Sequence, residues 1–343
     1  MPSWIYEEMN KSLIAFFSIL TLSFSQTLIS ANAMENGFDA PLDGRTVPII
    51  NYYNNGKNSM PVCTGFLYSD RIVLTAGHCL FDNPYKKKYE SISIGYPDEP
   101  YSLNSQRVKV QASFASPKWG WADDVNFNPT GEFGIYVLSQ PIKVKGKVEI
   151  ASSEKLQKYI DSKALVTNVG YGKQTPQDSF DGLPFRAAKL AQWPLVSYET
   201  VKLSIDGALK WSGKQRYNMS FHVLQVPGGP SSCSGDSGSP FYIKEDDTYV
   251  YLGPASNGLG GAPNCSGKPW EDSKMYVGAV AEYDYLDLFA EAEKFVADNP
   301  YVEPKVTNSS SKKKTTINCI KGKATTKVTG INPKCPVGFK VKV

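Results

Sequence analysis

Apolar positions in this chain come in short runs separated by clusters of Gly, Pro, Asn, Asp and Ser. Arg71 to Leu74, Ile135 to Leu138, Ala164 to Val169 and Phe241 to Ile243 are rich in β-branched and aromatic side chains between such clusters, which predicts β-strands. Ser220-Phe221-His222-Val223-Leu224 follows the period of two expected of a half-buried strand, so His222 reads as a satisfied strand imidazole rather than a ligand. One later stretch breaks the pattern: Tyr283 to Asp298 is acidic and periodic in Leu, Phe and Ala, and predicts a helix. Near the start, Lys11 precedes an apolar run from Leu13 to Phe24 that is too short to cross a bilayer. With Ala31-Asn32-Ala33 behind it, the run reads as a secretory signal peptide over residues 1–33, cleaved after Ala33. Glu7 and Glu8 stand where such a signal usually carries positive charge, and a start at Met9 would give Met9-Asn10-Lys11 instead.

The chain has 343 residues, 41% hydrophobic and 12% aromatic, with 28 Gly and 23 Pro, which excludes disorder throughout and argues against a coiled coil or helical bundle. The net charge of +4 hides an asymmetry. Residues 305–343 carry ten Lys and no acidic side chain, leaving 27 basic against 33 acidic residues before them. The expected organisation is therefore a mildly acidic body over residues 34–304 and a basic tail over 305–343. The tail consists of a Ser/Lys linker (Thr307 to Lys314) and a segment bounded by Cys319 and Cys335. Its lysines favour an anionic cell-surface polymer, such as cell-wall material or phospholipid headgroups. No aromatic interleaving or motif supports a specific nucleic-acid partner, and a solvated extension aiding solubility is the other reading.

Export places six cysteines, Cys63, Cys79, Cys233, Cys265, Cys319 and Cys335, in an oxidising compartment, so three disulfides are expected from fifteen possible pairings. There is no Cys-x-x-Cys, and the chain holds two His, His78 and His222, which makes a structural zinc site a poor fit.

Two segments carry chemistry. Val73-Leu74-Thr75-Ala76-Gly77-His78-Cys79 is an apolar strand running into small residues and then a His, which can be held rigidly at a cleft edge. In Cys233-Ser234-Gly235-Asp236-Ser237-Gly238-Ser239-Pro240, glycines flank one Ser and let backbone N–H groups, those of Gly235 and Ser237, converge as an oxyanion hole. A Ser hydroxyl is a weak nucleophile unless a nearby base takes its proton, so the pairing of Ser237 with His78 is the expectation.

These motifs resemble the trypsin/chymotrypsin-like serine endopeptidases over about residues 34 to 300. The resemblance implies an all-β fold of two six-stranded antiparallel barrels with the active site between them and a C-terminal helix; here the short basic disulfide-closed tail would follow. It implies a serine-type endopeptidase that forms an acyl-enzyme on protein or peptide substrates, as a monomer, with no metal or organic cofactor and no transmembrane span after signal removal. It pairs Cys63 with Cys79 and Cys233 with Cys265, leaving Cys319 with Cys335. Its third catalytic position falls on Glu132, where the family has Asp. Asp123 and Asp124, in a Trp-rich insertion from Trp119, are alternatives.

The resemblance also implies an activation pair, in which a freshly cut amine inserts beside the Asp before the nucleophile. Here these are Met34, exposed by signal peptidase itself, and Asp236, whose buried carboxylate needs a partner. The alternative reading of Met34 to Ala40 is a frayed N-terminal arm. For substrate binding it implies Ser231 at the base of the primary pocket, Ser256 and Gly258 along the substrate backbone, and Lys274 on the opposite wall. With Ser231 in place of an Asp, Arg/Lys preference is disfavoured, and apolar or aromatic residues rank slightly above acidic ones. A catalytically silent barrel protein that binds without cleaving, and an esterase using the same triad, are the rival functions.

Overall fold

The computed structural model describes residues 34, 36–40, 43–53, 58–82, 87–88, 91–99, 105–116, 132–173, 187–197, 200, 221–225, 229–260, 275–279, 286–303 and 315–342. The signal segment, Asp123, Asp124, Cys265, Lys274, the Thr307 to Lys314 linker and residues 283–285 of the expected helix lie outside them. The chain divides into two compact units, one ending at Pro300 and one beginning at Tyr301.

In the first unit, β1 (Phe38–Asp39), β2 (Thr46–Tyr53), β3 (Asn58–Leu67) and β4 (Ile72–Thr75) lead to a 3-10 turn at Gly77–Leu80. A small hairpin of β5 (Phe81–Asp82) and β6 (Lys87–Lys88) follows, then β7 (Ile92–Gly95), β8 (Arg107–Ala115) and β9 (Gly134–Leu138). Strands β2, β3, β4, β9, β8 and β7 close in that order into a barrel whose pairings are all antiparallel.

Next come β10 (Lys147–Ile150), helix α1 (Ser153–Asp161), β11 (Leu165–Gly170), β12 (Lys189–Val196), β13 (Phe221–Gln225), β14 (Pro240–Glu245), β15 (Thr248–Gly260), β16 (Met275–Ala279) and helix α2 (Leu286–Asp298). In the second sheet β12, β11, β14, β15, β16 and β13 pair in sequence, and the end of β12 (Leu195, Val196) pairs back onto β13, closing a second ring. Strand β10 adds to β15 in parallel and β1 to β12 in antiparallel. Among the described residues no helix is long and apolar enough to cross a membrane.

The continuous apolar runs of β4 and β9 arise because both faces of these strands are buried. Val73, Tyr136 and Leu138 point into the first barrel's own core. Ile72, Leu74, Ile135 and Val137 alternate with them and pack outward, in a cluster with Tyr242, Tyr249 and Tyr251 of the second barrel and Leu288, Phe289 and Ala292 of α2. A strand sandwiched between two apolar environments has no solvent face to mark with polar residues. Phe66 stacks on Tyr242 and Tyr251 at this junction, and Phe289 meets both Tyr68 and Phe133, so α2 covers the seam between the barrels.

A buried cation also ties the seam. Arg45 donates to the carbonyls of Lys145 (2.5 Å), Leu67 (2.5 Å) and Gly146 (2.6 Å), and lies over the rings of Phe66 and Tyr249. With its donors satisfied by carbonyls, the guanidinium tolerates burial that would otherwise be costly.

Helix α1 is a short addition to the expected all-β architecture, which the fold otherwise has. Ser152 caps it by accepting from the Lys155 N–H at 3.1 Å, Glu154 sits in the first turn, and Leu156 and Ile160, one turn apart, form its buried side.

The second unit is a three-stranded sheet ordered β18 (Ala324–Gly330), β17 (Thr315–Lys321), β19 (Lys340–Val341), closed by a Cys319–Cys335 disulfide. A unit this small buries little apolar surface, and a cross-link of this loop length contributes about 3 kcal/mol.

His222 corrects one expectation. It is fully buried on β13, opposite Val196 and Gly278, and neither ring nitrogen has a hydrogen-bond partner among the described residues. It is a strand residue, as the alternation predicts, but not a satisfied one. Burial alone pushes its pKa down to about 4. Because the folded value lies below the unfolded one near 6.5, the stability from a neutral imidazole is complete above that pH. It erodes as pH falls toward 4, by roughly 2 to 3 kcal/mol for this shift. His222→Leu is therefore expected to flatten the loss of thermal stability between pH 7 and pH 4.5 measured by calorimetry, with little change at pH 7.

Candidate active site

His78 enters the site from strand β4 through the 3-10 turn, whose Cys79 N–H donates to the Ala76 carbonyl at 3.1 Å. The turn is pinned from both sides. Cys79 is disulfide-bonded to Cys63 on β3, as the resemblance implies, and the Tyr136 hydroxyl on β9 donates to the Cys79 carbonyl at 2.7 Å. Glu132 precedes β9, the antiparallel neighbour of β4, with Thr75 paired to Gly134. Two chains leaving one edge of a ladder together bring the residues just beyond it into contact. The Glu132 Oε2 atom accordingly lies 2.7 Å from His78 Nδ1, and Oε1 accepts from the His78 backbone N–H at 3.2 Å.

The His78 side chain is 27% exposed and that of Glu132 only 3%. Burial lowers the pKa of His78, but the charge of Glu132 and its hydrogen bond outweigh burial, so the net shift is upward from 6.5. Glu132 also accepts from Ser256 Oγ at 3.0 Å. Ser256 stands at an irregularity in the β15–β16 register between Ala255 and Gly258, where a bulge turns a side chain out of the ladder. The carboxylate thus holds the imidazole with Nδ1–H toward itself, leaving Nε2 free to take a proton.

Ser237 lies in the loop between residues 233 and 239, which is laid against β3. The Thr64 N–H donates to the Ser237 carbonyl at 2.8 Å, and the Thr64 hydroxyl donates to the Gly235 carbonyl at 3.0 Å. The same hydroxyl accepts from the Tyr171 N–H at 3.0 Å. The Ser237 carbonyl is also 3.6 Å from Cys79 Sγ, so the serine's backbone adjoins the residue that follows His78.

Gly235 and Gly238 have φ of 99° and 81°, values that L side chains rarely adopt. A Cβ on Gly238 would fall 2.0 Å from Thr75 Oγ1. Asp236 is buried, its carboxylate accepting from the N–H groups of Gly172 and Cys233, both at 2.8 Å.

A family model described as Trypsin matches residues 43–266. The chain belongs to the trypsin family. Its domain is that of a trypsin-like serine protease, with the barrels, the Cys63–Cys79 bridge and the helix α2 that the resemblance implies. Cys233 is also disulfide-bonded.

Around this trypsin-like centre, Ser231 is buried, its hydroxyl donating to Gln225 Oε1 at 3.3 Å, while the Gln225 amide donates to Ser232 Oγ at 2.9 Å. Gly258 pairs with Val277 on β16. Met34 is fully buried, and it shares the surface of Gly170 with Asp236: a Cβ there would lie 3.1 Å from Met34 Cε and 2.1 Å from Asp236 Oδ1. Cys63, His78 and Cys79 place potential ligand atoms within 4.8 Å of one another, but the two sulfurs are bonded together, which leaves no thiolate for a metal.

Thr64, Gln225 and the contact of Ser256 with Glu132 are not anticipated from sequence. The Thr64 and Ser256 contacts act across long stretches of chain, while Gln225 reaches only six or seven residues ahead, and no local motif marks any of them.

Replacing Glu132 by Gln removes the charge that raises the His78 pKa and leaves burial to lower it. The imidazole of the Gln variant is expected to titrate below 6.5 by NMR, against above 6.5 in the parent. Activity is expected to fall by about 10³ to 10⁴-fold, as when the charged partner of such a histidine is lost.

Proposed function

We propose that this chain is an exported serine endopeptidase whose Ser237 attacks the peptide carbonyl to form an acyl-enzyme. The carrying observation is the 2.7 Å contact between His78 and buried Glu132, beside a serine loop latched to β3, the strand whose Cys63 is disulfide-bonded to Cys79 next to His78. In this reading His78 Nε2 takes the Ser237 proton as the hydroxyl attacks and returns it to the leaving amine. Glu132 orients the ring and stabilises its cation. The N–H groups of Gly235 and Ser237 hold the oxyanion, and water then releases the acyl group with His78 again as base. Because the imidazole must be neutral to act as base, the rate rises with pH through the raised His78 value.

Signal peptidase, cutting after Ala33, exposes the amine of Met34 in the compartment where the protein works. The buried Met34 side chain beside Gly170 supports placing that amine near Asp236, as its ion-pair partner. No separate zymogen step is required.

At the base of the primary pocket, Ser231 and Gln225 form a neutral hydrogen-bonded pair, which offers no carboxylate to an Arg or Lys side chain. Apolar or aromatic residues before the scissile bond rank above acidic ones.

A fluorophosphonate probe is expected to label the signal-processed protein at one site, abolished by Ser237→Ala, and a peptide library to show cleavage after apolar or aromatic residues. Absence of labelling in folded, processed protein would favour the silent binding-protein reading. Ester turnover without peptide cleavage would favour the esterase. One residue added before Met34 is expected to slow labelling at least about tenfold, since an inserted peptide unit displaces the amine from its buried partner; unchanged labelling would reject the activation pair.

A further inference from the structure

The small C-terminal unit has two unlike sheet faces. On one, Cys319 is buried, and Ile317, Thr326 and Val328 are half-buried, on the side of the disulfide to Cys335. Alternation along the strands puts a different set on the other face. Register places Lys327 opposite Asn318, and the Lys342 N–H donates to the Asn318 carbonyl, so Lys327, Asn318 and Lys342 form one row across three strands. Thr325, Ile320 and Lys340 form the next row. Thr329 and Thr316 form a third, their hydroxyls 2.7 Å apart. All of these except the half-buried Ile320 are exposed. Among the described residues no ion pair engages Lys327, Lys340 or Lys342. The tail from residue 305 carries no acidic side chain to neutralise them.

We propose that this face, built by Lys327, Lys340 and Lys342 around Thr316, Asn318, Thr325 and Thr329, binds an acidic polysaccharide. The lysines flank a central strand at a separation of about 10 Å, two strand spacings, so that a chain lying along β17 meets cations on either side. Ammonium groups complement its carboxylates or sulfates, while the hydroxyls and the Asn amide between them match sugar hydroxyls. The face carries no aromatic ring on which nucleic-acid bases could stack. Nor does it offer an apolar wedge for a bilayer: Ile320, on this face, is half-buried, and exposed Val341 alternates with Lys340 and Lys342, and so points away from them. A polymer held by charge and hydroxyl contacts is what remains. The inference is independent of the protease reading, since it concerns a separate unit and a binding readout.

The test uses the full signal-processed chain carrying Ser237→Ala, with binding measured on alginate, neutral dextran, duplex DNA and phosphatidylglycerol vesicles at physiological ionic strength. Alginate is expected to bind best, with affinity falling as salt rises. The triple variant Lys327→Gln/Lys340→Gln/Lys342→Gln is expected to lose alginate affinity at least about fivefold. The triple Lys321→Gln/Lys323→Gln/Lys334→Gln, which removes the same charge elsewhere in the unit, is expected to lose less than about twofold, because screened surface charges act mainly at close range. The triple variant Lys327→Arg/Lys340→Arg/Lys342→Arg keeps the charge and is expected to retain binding, separating charge loss from misfolding. Equal losses in the two Gln triples, tighter binding to DNA or vesicles than to alginate, or no alginate binding at all would each overturn the proposal.

Discussion

The hydrogen-bonding of Thr64 is the constraint on which the site depends. Its N–H holds the Ser237 carbonyl, its hydroxyl holds the Gly235 carbonyl while accepting from Tyr171, and its carbonyl accepts from Thr75 Oγ1 at 2.9 Å. One residue of the first barrel thereby satisfies backbone groups from two loops of the second. Buried polar groups left without such partners cost about 1 to 3 kcal/mol each, so the serine loop has a strong reason to dock on β3 and little freedom to dock elsewhere. Thr64 also adjoins Cys63, whose disulfide reaches the residue after His78. The serine loop and the His78 turn are thus fixed to one strand from two directions.

The apolar seam makes that docking possible. Phe66 packs with the tyrosines of β14 and β15 there, and Arg45 lies over the rings of Phe66 and Tyr249 with its donors on carbonyls. Large aromatic side chains bury much area with few rotors, and the barrels meet over a packed surface rather than a hinge. Against this rigid background the Glu132–His78 pair balances two opposing effects. Low exposure disfavours the imidazolium, and the nearby carboxylate more than compensates. The Glu132 carboxylate is held at three points, the His78 ring, the His78 N–H and the Ser256 hydroxyl.

Local patterns carried much of the result. The strands at Arg71 to Leu74, Ile135 to Leu138, Ala164 to Val169 and Phe241 to Ile243 were legible because β-branched runs between turn residues have few other uses. They appear within a residue or two as β4, β9, β11 and β14. The local settings of His78 and Ser237 are legible because each lies within a few residues, a strand end for one and a positive-φ glycine loop for the other. The basic tail was legible from charge alone. Helix α1 is less legible: Ser152, Leu156 and Ile160 mark it, but a stretch this short and amphipathic is hard to tell apart among strands.

By itself, then, the amino-acid order determined which segments extend, where a His at a strand end and a Ser in a glycine loop stand, and that charge segregates into the tail. Only the tertiary structure decided that Thr64 latches the serine loop, that Ser256 grips Glu132, and that His222 is buried with no hydrogen-bond partner among the described residues. The physical reason is separation along the chain. The Thr64 contact to Gly235 spans 171 residues and the Ser256 contact to Glu132 spans 124. Such contacts arise from barrel closure, strand register and a single bulge, which no window of neighbouring residues encodes.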